Sequence, residues 1–107
     1  MNSQNIYISR KKRINENEFF KYLVSNAMLA EKTARGYITA IYSLEDFANR
    51  NNLLSRELFI YDSNIVIRTV KEIEINKKYI ELNKISHNRH RSAVNKLLEF
   101  LHINYKI

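Results

Sequence analysis

The stretch "KTARGYITAIYSLEDFANR", residues 32–50, decides the fold class. Ala34, Tyr37, Ile38, Ile41, Leu44 and Ala48 recur at helical spacing, and Phe47 widens the stripe they form. The period excludes a strand, whose inward positions alternate with a period of two. "NRNN", residues 49–52, ends the pattern. Ahead of the stripe stand Lys32, Thr33 and Arg35, so the lead-in is basic where a helix dipole prefers acid. Each misplaced cation costs a few tenths of a kcal/mol, roughly, and a negatively charged partner would offset that cost.

Working outward, the same period recurs. Asn15 is placed to cap a first helix, with Glu18 three residues on, and Phe19, Phe20, Leu23, Val24 and Ala27 make its stripe. Asp62 or Ser63 can cap a third helix, supported by Val66, Val70 and Ile73. The Ile and Val content of "NIVIRTV", residues 64–70, would also suit a strand, but nothing nearby offers a pairing partner. Tyr79, Ile80 and Leu82 form a short apolar turn. Ser86 caps the last helix, where Ala93, Val94, Leu97, Leu98 and Leu101 make the stripe with Phe100 beside it.

Composition agrees with helices. The 107 residues suffice for one domain with its own core, and 45% are hydrophobic, too many for a disordered chain. Proline is absent and Gly36 is the only glycine, whereas β-sandwiches and barrels spend both on tight turns. With no cysteine, disulfides and thiolate metal sites are excluded. No apolar run reaches membrane-spanning length and the first residues lack the apolar core of a signal peptide, so a cytoplasmic, non-membrane protein is expected.

The net charge is +7, from 18 Lys and Arg against 11 Asp and Glu. Arg10, Lys11, Lys12 and Arg13 supply four charges in a row, and the chain beyond them carries 14 against 11, or +3. Such an arm is either a solvated tail or a segment that lies along a polyanion. The last helix repeats the pattern of the second: His87, Asn88, Arg89, His90 and Arg91 precede its stripe. Helix N-termini offer unpaired N–H groups to phosphate, and Arg, Asn and His also reach base edges. The plain alternative is a pair of solvated helix ends that keep the protein in solution.

"KTARGYITAIYSLEDFANRNNL", residues 32–53, and "NRHRSAVNKLLEFL", residues 88–101, resemble two helices of a known module. It is the SAM-like core-binding domain, the N-terminal domain of phage integrases and tyrosine recombinases. The resemblance spans about residues 15–103. It implies a four-helix domain of two crossed hairpins that grips duplex DNA without a cofactor, through Lys32, Thr33 and Arg35 and through Asn88, Arg89 and Arg91. It also implies, as a further partner, a C-terminal catalytic domain that this chain does not contain. The second helix departs from the family in having Ala30 and Glu31 where Ser or Asp often caps it.

No catalysis is expected of this chain. Three residues after His87, His90 and His102 stand His90, Ala93 and Tyr105, so the family's His-x-x-Arg pair is missing. Tyr105 without an arginine clamp could not stabilise a phosphoryl transition state, and it reads as a terminal aromatic. His87 and His90 could share one face, yet no third ligand stands at a suitable spacing, so a solvated or DNA-facing pair is the better reading. A small helical adaptor, whose basic surface meets an acidic protein, is the reading from another class.

The expected architecture is therefore a compact, all-α, four-helix domain over 15–107, behind a flexible basic arm at 1–14. Helices are expected near 15–27, 33–49, 63–75 and 87–102, with Phe19, Phe20, Tyr37, Phe47 and Phe100 in the core. Ile41, Leu44, Leu97 and Leu101 should join helices two and four in one core. Replacing Leu97 with Ala is then expected to cost about 2–5 kcal/mol in chemical denaturation, and a loss below about 1 kcal/mol would place the stripe outside the core.

Overall fold

The computed structural model describes residues 13–85 and 89–104. The described residues hold five helices and no strand. α1 covers Glu16–Lys21 and runs on as a π-helical turn over Tyr22–Asn26. α2 is Glu31–Arg50, α3 Ser63–Glu74, α4 Lys77–Ile85 and α5 Arg89–Asn104. The class is all-α, as the periodicity requires. The count is five because the short apolar turn expected at 79–82 is a complete helix, α4. None of the described helices is long and apolar enough to cross a membrane.

Local chemistry explains most boundaries. Asn15 Oδ1 accepts from the N–H groups of Asn17 (2.9 Å) and Glu18 (3.3 Å), and its own N–H donates to the Tyr61 hydroxyl at 3.1 Å. Asp62 caps α3 in the same manner, accepting from Asn64 and Ile65. That cap settles the helix-or-strand ambiguity of 64–70 in favour of a helix, and among the described residues the β pairing is one isolated bridge between Arg13 and Ile60. α2 begins at Glu31 behind an Ala30 with no side-chain cap. Its first turn therefore contains one acid, which corrects the purely basic start read from the sequence.

A chain with one glycine and no proline turns by other means. α2 ends with Asn52 at a left-handed φ of 53°. The Leu53 N–H reaches the Ala48 carbonyl and the Asn52 N–H the Asn49 carbonyl, the two bonds of a Schellman motif. Asn tolerates that conformation better than most residues. Met28 adopts φ 59° after α1, where no such tolerance helps.

The core centres on Phe19, whose ring meets Phe100 at 5.2 Å and Phe59 at 5.6 Å, both edge-on. Ile41, Leu44, Leu97 and Leu101 are all buried, and α2 packs most extensively on α5. Phe20, Tyr37 and Phe47 line the core only partly buried.

Residues 53–61 form an ordered crossing held by side chains. The Glu72 carboxylate accepts from the N–H groups of Leu54 (2.9 Å) and Ser55 (3.0 Å). The buried Thr69 hydroxyl lies 2.8 Å from the Glu57 carbonyl. Glu45 of α2, only 8% exposed, holds the other end. Its Oε2 accepts from Leu58 N–H (2.8 Å) and Phe59 N–H (2.9 Å), and Arg13 binds both carboxylate oxygens at 3.0 and 2.9 Å. Arg13 also lies over the Tyr42 ring, 5.8 Å from its centre.

This pairing corrects the assignment of Arg13 to a flexible arm. Ile14 is 3% exposed and its N–H donates to the Phe59 carbonyl, so Arg13 and Ile14 belong to the folded body. Arg10, Lys11 and Lys12 lie outside the described residues. The two partners of the ion pair should respond unequally. Glu45→Ala strips two buried N–H groups and a cation of their acceptor, and should cost about 3–5 kcal/mol in urea unfolding. Arg13→Ala leaves Glu45 its two amide donors and removes a half-exposed partner, so about 1–2 kcal/mol is expected. Equal losses would show that the amide bonds are not the main part of the clamp.

Candidate nucleic-acid interface

α2 and α5 meet near their N-terminal ends. A β-carbon placed on Gly36 would lie 3.8 Å from Arg89 Nη1, so the Arg89 guanidinium rests over the second turn of α2. Lys32 stands one helical turn before Gly36 on the same strip of α2 and is exposed. Thr33 is exposed beside it. The separation is ordinary van der Waals contact, so alanine would fit at position 36 and a longer side chain would displace Arg89.

Arg35 projects toward α1. Its guanidinium lies over the Phe20 ring at 4.9 Å from the centroid. Its ion pair with Glu31 is loose, at 3.8 Å, between two side chains about 70% exposed. A pair of that kind contributes little to stability and is readily exchanged for a phosphate. Phe20 thus carries the guanidinium while leaving its N–H groups open to solvent. That explains why an aromatic on the first stripe is only half-buried.

The first described turn of α5 separates its cations. Successive helical residues are about 100° apart, so Arg89 and Arg91 point to nearly opposite sides. Arg89 faces α2. Arg91 lines a cavity between α2, α3, α4 and α5 beside Tyr79. The grouping of both arginines on one face is therefore corrected: the fold sets Arg89 against the Lys32–Gly36 strip of α2, with Thr33 and Arg35 on its flanks, and turns Arg91 away. His87 and Asn88 lie outside the described residues, as does Tyr105.

His90, between them, is 8% exposed, which overturns its reading as a solvated or DNA-facing cation. Burial, and then the charge of Arg89, hold its pKa below the ordinary histidine value of 6.5. The sequence signal for this was its position three residues before Ala93, on the apolar side of the stripe. Glu45, Glu72, Thr69 and Tyr61 were not singled out by periodicity either. Each acts across the fold on backbone groups, so only distant partners reveal it.

Compared with protein-family models, curated proteins and solved structures, the chain gives no match.

The His90 shift fixes a sign. The unfolded chain gains a proton near pH 6.5 that the folded state takes up only at lower pH. The contribution to stability is thus complete above about pH 6.5 and is lost as the pH falls through the window below it. Urea midpoints should drop between pH 7.5 and pH 5.5, and His90→Gln should weaken that drop. An unchanged pH dependence in the variant would show that His90 is not its source.

Proposed function

We propose that this domain binds duplex DNA through the adjoining starts of α2 and α5, as the core-binding module of a phage-integrase-type recombinase does. The reading rests on one observation, the approach of Arg89 to Gly36, which sets Arg89 against the strip of α2 that carries Lys32, with the exposed Thr33 and Arg35 on its two flanks. The cations supply phosphate contacts and the helix starts add N–H dipoles of the same sign. Thr33 offers a hydroxyl for a phosphate oxygen or a base edge. Arg10, Lys11 and Lys12 precede Arg13, which Glu45 anchors, and they add charge that carries no sequence preference. Chemistry on the DNA belongs in this reading to a catalytic domain acting with this one.

Electrophoretic mobility shift of a short duplex at several salt concentrations tests the proposal. Each neutralised phosphate contributes about −0.9 to the slope of log affinity against log salt. Combining Lys32→Ala, Arg35→Ala and Arg89→Ala should flatten the slope by about 2–3, whereas Arg91→Ala should change it by less than about 1. Deleting residues 1–12, which spares the Arg13–Glu45 pair, should flatten the slope and leave sequence preference intact. A folded protein that shows no retardation at about 50 mM salt, with none from the triple variant either, would sink the DNA reading. The adaptor reading, an acidic protein on the same basic surface, would then replace it.

A further inference from the structure

On the side of α5 away from Arg89, a cavity of about 250 Å³ opens among α2, α3, α4 and α5. Its floor is apolar: Leu44 of α2, Ile73 of α3, and Val94 and Leu98 of α5. Its polar groups are few: Lys71 and Glu74 of α3, Tyr79 of α4, and Arg91 and Asn95 of α5. Two cations against one carboxylate leave the lining one positive charge in excess. Among the described residues neither Lys71 nor Arg91 has a carboxylate within ion-pair distance. These charges are therefore not held by each other, although they border an apolar space.

Tyr79 ties the two parts together. Its ring is 4% exposed and meets Phe47 edge-on at 6.3 Å. Burial raises its pKa while the neighbouring Arg91 opposes the rise, so the phenol stays protonated at neutral pH. An O–H and a guanidinium thus sit side by side at the edge of the apolar floor.

We infer that this cavity binds a small amphipathic monoanion, with an alkyl or single-ring body over Leu44, Ile73, Val94 and Leu98 and a carboxylate head at Arg91, beside Tyr79. Volume sets the size. A cavity of ~150 Å³ holds benzene, so this one accepts a body of about eight carbons and excludes a peptide helix. Charge sets the class. One excess cation suits a carboxylate, while Glu74 repels a dianion such as a phosphate monoester. An apolar pocket with a few converging polar groups between bundle helices is the common form of a small-molecule site. The inference is independent of DNA binding, because none of Lys32, Thr33, Arg35 or Arg89 lines the cavity.

Octanoate is a suitable probe, with octanol as its uncharged counterpart, titrated into the ¹⁵N-labelled full-length protein. Octanoate should saturate in the low-millimolar range or tighter, with shifts concentrated at residues 70–79 and 91–98. Octanol should bind at least about tenfold more weakly, and so should octanoate to Arg91→Gln, because each lacks one member of a charge-assisted pair. Arg91 is exposed, so that variant is expected to fold. Val70→Trp, which fills the cavity from its rim, should abolish the shifts. The inference fails if octanoate produces no saturable, localised shifts up to about 10 mM. It fails equally if octanol matches octanoate or Arg91→Gln leaves octanoate affinity unchanged, since the anionic head would then have no receptor.

Discussion

The buried carboxylate of Glu45 is the constraint on which the rest of this fold depends. It lies in the C-terminal half of α2 and accepts four hydrogen bonds, two from backbone N–H groups and two from one guanidinium. A charge in that position would be strongly unfavourable alone. Satisfied as it is, it joins the start of the folded chain, α2 and the 53–61 crossing at one point. Leu58 and Phe59 are fully buried as a result, and Phe59 completes the aromatic cluster around Phe19. The clamp also sets where the basic run at 10–12 is rooted. Lys32 and Glu45 are thirteen residues apart on α2, about 20 Å along its axis. Arg13 and the basic helix starts are therefore well separated along α2.

The second constraint is rotational. α5 carries arginines at 89 and 91 and a histidine between them, and one helix cannot direct all three to the same surface. The fold sends Arg89 over Gly36, buries His90, and places Arg91 beside Tyr79 at the cavity. One short basic stretch thus serves three environments. An exposed surface beside α2, a buried imidazole and the edge of an apolar cavity follow from about 100° of rotation per residue.

Much of the fold was legible from local pattern. The stripes in α1, α2, α3 and α5 were sufficient because helical amphipathicity is a property of neighbouring residues. The caps were legible for the same reason, Asn15 outright and Asp62 as one of two candidates with Ser63, since each side chain bonds N–H groups two and three residues ahead. α4 was underestimated because its stripe is short, with Tyr79 alone fully inward among Tyr79, Ile80 and Leu82. The basic residues at two helix starts were visible as a charge pattern. That Arg89 adjoins the Lys32–Gly36 strip of α2 and Arg91 does not was not visible.

What the sequence by itself determined is the all-α class, the positions of α1, α2, α3 and α5 and most of their inward stripes, because periodicity, capping and the scarcity of Gly and Pro act within a few residues. What only the tertiary structure decided is which distant groups complete one another. Arg13 finds Glu45 across 32 positions, Tyr22 finds Glu99 across 77, and Arg89 reaches Gly36. Such pairings depend on how helices cross. The crossing is set by the fit of side-chain shapes along both helices together, which no single stretch of the chain encodes.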